Sequence, residues 1–85
     1  MEKDQIIKKL RQRIQTDILQ DSGFEISHDA PLITSGLIDS FSLVDLALIV
    51  ENIFNVRIED YELNSDVFDS LNELAEIIIN RLPTA

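Results

Sequence analysis

Ile7, Leu10, Ile14 and Ile18 are spaced three, four and four residues apart, and Leu71, Leu74, Ile78 and Leu82 repeat that spacing near the other end of the chain. The period puts each set on one face of an α-helix but on both faces of a strand, so both ends of the chain are committed to helices. Asp4, Lys8, Arg11 and Gln15 fall opposite the first stripe, which completes its amphipathic pattern. Only two glycines and two prolines interrupt the 85 residues. The pattern predicts a first helix from Asp4 to Leu19, stopped by Asp21-Ser22-Gly23. A second helix is predicted from Ser40 to Phe54. The closing helix starts at Ser70, where Ser70-Leu71-Asn72-Glu73 has the form of a capping box, and Pro83 ends it.

The first two helices are joined by a long connection, Gln20 to Asp39, with Pro31 and Gly36 inside it. A structureless stretch of that length needs anchors, and Phe24, Ile26, Leu32, Ile33, Leu37 and Ile38 are the candidates. Asp29 is placed to cap a short helical turn near Pro31–Ile33. After the second helix, Val56 and Ile58 read as a short extended link. Tyr61, Leu63, Val67 and Phe68 fit a compact loop with one or two helical turns. The expected fold is all-α: a small four-helix bundle of three long helices and one short one, in a single domain over residues 1–85.

Composition narrows the function. There is no cysteine, which excludes thiolate catalysis, thiolate metal sites and a disulfide framework. A lone His28 leaves no second imidazole for a His-based metal site. Asp60 and Glu62 lack the ladder of a calcium loop, and Gly23 and Gly36 stand apart from any phosphate-cradling glycine run. Seven Lys+Arg against 16 Asp+Glu give a net charge of −9, with five of the seven basic residues among the first thirteen positions. Such a chain repels nucleic acid and anionic lipid heads and favours partners with basic surfaces. No apolar run follows Met1-Glu2-Lys3-Asp4, and the longest apolar run, Leu46 to Val50, is too short to cross a bilayer. The expectation is a cytoplasmic monomer that does not insert into membranes.

The second helix carries more apolar residues than one core-facing stripe needs. Leu43, Leu46, Ala47, Val50 and Phe54 form one face, while Phe41, Val44 and Leu48 form a second stripe beside Asp45 and Glu51. Surplus apolar surface framed by acids reads as a docking site. The helix opens with Asp39-Ser40, and a serine hydroxyl at a helix start is accessible to modification where unpaired N–H groups favour a phosphodiester. The same pair also serves as a simple cap of an acidic helical adaptor. A hydrolase built on Ser40 would need a base, and His28 lies twelve residues upstream in the loop.

Gly36-Leu37-Ile38-Asp39-Ser40-Phe41, followed by Val44-Asp45-Leu46 and Glu51-Asn52-Ile53-Phe54, resembles the acyl carrier protein family. The likeness extends over most of the chain, in its helix order, long first loop and acidic character. The family's Asp-Ser-Leu motif reads Asp-Ser-Phe here. The resemblance implies that Ser40 receives 4′-phosphopantetheine from a phosphopantetheinyl transferase, with Asp39 helping that enzyme position the site. It implies that Phe41, Val44, Asp45, Leu48 and Glu51 form the surface offered to acyl- or aminoacyl-loading ligases and acyl-transferring enzymes. A carrier of this kind is not itself an enzyme; its arm holds an acyl or aminoacyl group as a thioester, so the absent cysteine is no obstacle. Ser42-Leu43 after the motif, and Asn52-Ile53 breaking the acidic run, depart from carriers of fatty-acid biosynthesis. The Gly-Leu-Ile-Asp-Ser approach is closer to D-alanyl and other specialised free-standing carriers, with the housekeeping fatty-acid carrier next. Peptidyl carrier domains usually place Gly-Gly before the acid or histidine.

Overall fold

The computed structural model describes residues 2–82, and within them all regular structure is helical. Helix α1 spans Lys3–Arg13, α2 spans Ser40–Phe54 and α3 spans Leu71–Arg81. A π-helical turn, Ile14–Ile18, extends α1. The short helix expected between Val56 and Ser70 is instead a three-residue 3-10 turn, Asp60–Glu62. The role expected of Pro83 lies outside the described residues.

Helix α1 buries Ile6 as well as the predicted Ile7 and Leu10, and the predicted Ile14 is buried in the π-turn. Helix α1 packs chiefly against α3, and α2 meets both α1 and the π-turn. In that turn the Leu19 N–H donates to the Ile14 carbonyl (2.9 Å), one residue beyond α-helical reach. The helix stops at Gln20, which takes a left-handed φ of 54°, and the Asp21 N–H closes onto the Gln15 carbonyl (2.8 Å). Gly23, expected to provide the stop, has no left-handed φ. It sits instead in a small turn where its N–H donates to the Asp21 carboxylate (3.1 Å).

Ile26, Leu32 and Ile38 of the long connection are buried and join one core with Phe68, Leu71, Leu74 and Ile78 of the C-terminal part. Burying each such side chain contributes roughly 1.5–3 kcal/mol relative to leaving it in water. Ile33 and Leu37 pack on the rim, whereas Phe24 is 41% exposed and does not anchor the loop as expected. Polar bonds hold that stretch instead: the Arg11 guanidinium donates to the Ile26 carbonyl (2.9 Å), and the Gln15 amide donates to that of Phe24. No helical turn forms at Pro31–Ile33. A hydrogen-bonded turn spans Ile33–Gly36, and the Asp29 carboxylate accepts from the Asn72 side chain (3.2 Å) instead of capping.

Val56, Ile58 and Phe68 are buried in the second connection, while Tyr61 and Val67 face outward. Glu62 is buried at 8% exposure and pairs with the Arg81 guanidinium at the end of α3. At the start of α3 the Ser70 hydroxyl accepts from the Glu73 N–H (3.1 Å), as its spacing predicts. The Glu73 carboxylate reaches one residue farther back than a capping box requires, accepting from the Asp69 N–H (2.8 Å). No described helix is long and apolar enough to cross a membrane.

Candidate functional site

The approach to α2 is built by a chain reversal. Gly36 takes a φ of +81°, a conformation that strains any side chain, and its N–H donates to the Ile33 carbonyl (3.0 Å). The Ile38 N–H then donates to the Leu32 carbonyl (2.9 Å) with both side chains buried. One residue later Asp39, in extended backbone, stands outside the helix as its N-cap.

Of the two candidate caps, Asp39 is the one used. Its carboxylate accepts from the Ser42 N–H (2.8 Å), and that bond, more than any other influence, holds its pKa below the usual carboxylate value. Ser40 is thereby released. It is exposed, it is the first residue of α2, and its hydroxyl makes no hydrogen bond among the described residues. The helix start around it keeps unpaired backbone N–H groups and the positive end of the dipole.

The helix divides cleanly. At about 100° per residue, Ser40, Glu51, Val44, Leu48, Phe41 and Asp45 fall within roughly 140° of the circumference. All six are exposed, with Phe41 at 86%, Val44 at 49% and Leu48 at 59%. Leu43, Leu46, Val50 and Phe54 turn the other way into the core, with Ala47 packed at its edge. Ile49, in neither predicted stripe, is also buried. Asp45 and Glu51 form no ion pair among the described residues, whereas Arg13, Arg57, Arg81 and Lys3 each pair with a carboxylate.

The His28 carbonyl accepts from the Asn72 N–H (2.9 Å) at the start of α3, and no hydrogen bond links His28 to Ser40 among the described residues. No described cluster of His, Asp or Glu could hold a metal ion. Asp69 is the participant that sequence reasoning missed: its carboxylate gathers the Ile33 and Thr34 N–H groups (2.6 and 3.0 Å) and the Thr34 hydroxyl. Its partners lie 35 and 36 residues away, so no local pattern marks it.

An unengaged hydroxyl heading an amphipathic helix, in a small acidic helical protein, suits a covalent attachment point. The chain belongs to the acyl carrier protein family. It is 30% identical over 80 residues to the D-alanyl carrier protein of Bacillus subtilis (strain 168), a match that covers 94% of this chain and 91% of that relative. No family model matches the chain.

Proposed function

We propose that the 85 residues act as one non-catalytic carrier domain, and that Ser40 bears a 4′-phosphopantetheine arm. The observation that carries the reading is the division of labour at α2: Asp39 caps the helix, so the Ser40 hydroxyl is left exposed and unengaged. The residues fit the group. The hydroxyl supplies the ester oxygen, and the N–H groups and dipole at the helix start favour the phosphodiester charge. When bound, the arm supplies the thiol on which an acyl or aminoacyl group rides.

The chain's own part is to present that hydroxyl and to be recognised. Phe41, Val44 and Leu48 offer apolar contact within a frame of Asp45 and Glu51, a surface suited to enzymes with basic docking faces. Those enzymes are a phosphopantetheinyl transferase, a loading ligase and an acyl-transferring enzyme, in the cytoplasm. The named relative is a D-alanyl carrier, which favours a specialised aminoacyl or acyl cargo over general fatty-acid synthesis.

Intact-mass measurement after incubation with coenzyme A and a promiscuous phosphopantetheinyl transferase tests the reading. One phosphopantetheinyl group should add to the wild-type chain and none to Ser40→Ala. Peptide mapping should find it on Ser40, with Ser35, Ser42, Ser65 and Ser70 unmodified. A wild-type chain that gains no mass would leave the adaptor reading in its place.

A further inference from the structure

The residue that holds the loop in front of Ser40 belongs to another part of the chain. Asp69 lies between Phe68 and the Ser70 cap of α3, with Phe68 and Leu71 completely buried on either side, so its backbone is fixed by the core. Its carbonyl accepts from the Leu32 N–H (2.7 Å), and its carboxylate takes the next two N–H groups and the Thr34 hydroxyl. Three consecutive loop residues are thus pinned to one residue of the C-terminal part. From Leu32 the carbonyl passes the constraint on to Ile38, which directly precedes the Asp39 cap. Between them Ser35 closes the loop on itself, its hydroxyl donating to the Pro31 carbonyl (2.6 Å) and accepting from the Leu37 N–H (3.2 Å).

We propose that Asp69 is a positioning residue for Ser40: its clasp on Leu32–Thr34 sets where the loop delivers the start of α2 to modifying and partner enzymes. The inference rests on the reading of Ser40 as the attachment serine. A loop of this length has many conformations open to it, and the clasp removes most of them before an enzyme arrives. Without it, the transferase would meet Ser40 in its productive position only part of the time. Apparent affinity falls by that fraction, while turnover of the bound complex is little changed.

The test is the steady-state kinetics of phosphopantetheinylation on the intact chain, read as separate KM and kcat values. Asp69→Ala should raise KM for the carrier about tenfold, as expected if about one-tenth of the free molecules remain competent, with kcat within about twofold. Asp69→Asn keeps a carbonyl oxygen for the two backbone N–H groups and should recover most of the loss. Thr34→Val, which removes only the hydroxyl bond, should show a smaller rise in KM. Asp66→Ala takes a negative charge from the same connection, makes no such contact among the described residues, and should behave as wild type.

Circular dichroism on each variant measures the folded fraction. A fall in rate that merely tracks unfolding would overturn the proposal, as would unchanged KM in folded Asp69→Ala. Either result leaves the Ser40 reading standing, provided that the wild-type chain is modified on Ser40. Absence of modification in the wild-type chain removes that reading and this proposal together.

Discussion

Phe41 and Phe54 are the same residue type on the same helix, at 86% and 5% exposure, and cutting each to alanine separates surface from core. Phe54 packs in the core, and a buried Phe→Ala change costs about 3–5 kcal/mol in lost burial and cavity. An 85-residue domain has roughly 4–13 kcal/mol in total, at about 0.05–0.15 kcal/mol per residue. Phe54→Ala should therefore lower the Tm by about 12 °C or more, at about 4–8 °C per kcal/mol for a chain this size. Phe41→Ala leaves no cavity and gains about 0.5 kcal/mol in helix propensity, so its Tm should equal or slightly exceed that of the wild type. Its phosphopantetheinylation rate should nevertheless fall, since it removes the most exposed apolar contact beside Ser40. Thermal melts and modification rates of the two variants are the assay. Similar losses of stability would mean that both faces of α2 are core, and a wild-type rate for folded Phe41→Ala would remove the exposed stripe from partner recognition.

Association with the transferase should slow as salt rises, because charges on α2 are screened over about 8 Å at physiological ionic strength. Asp45→Lys should cut the association rate more than the turnover, a split that stopped-flow binding would resolve. Gly36→Ala has room for its methyl group but requires a left-handed φ, so it should cost about 1–2 kcal/mol in chemical denaturation. Hydrogen bonds from Arg81, and secondarily from the Glu59 N–H, hold the Glu62 carboxyl below its usual pKa. A carboxylate depressed in the folded state adds stability that is complete above its unfolded pKa, about 4.3, and is lost as pH falls through the lower folded value. The stability difference between the wild type and Glu62→Gln should therefore hold level down to about pH 5 and shrink below pH 4 in pH-dependent melts.

The second helix was legible from local pattern in its bounds and its outward stripe. Its start at Ser40, its end at Phe54 and the outward stripe of Phe41, Val44 and Leu48 follow from a 3.6-residue period and an Asp–Ser pair, which depend on neighbours within a turn or two, while the choice of Asp39 over Ser40 as the cap came from the structure. The start of α3 followed in the same way from Ser70, and its buried face from the spacing of Leu71, Leu74 and Ile78. Tertiary structure alone decided which groups meet across the chain. Ile6 and Ile49 are buried although neither lies in a predicted core stripe, and Phe24, an expected anchor, is 41% exposed. Tyr61 and Phe68 look alike as loop aromatics, yet one is 79% exposed and the other is fully enclosed. Asp69 in the sequence is an acid ahead of a cap; folded, it holds the loop in front of Ser40 through partners some 35 residues away. Periodicity reports the face a helix turns inward, because that depends on its own geometry. A carboxylate's partner depends on where the core brings the rest of the chain, and no spacing within the sequence encodes that distance.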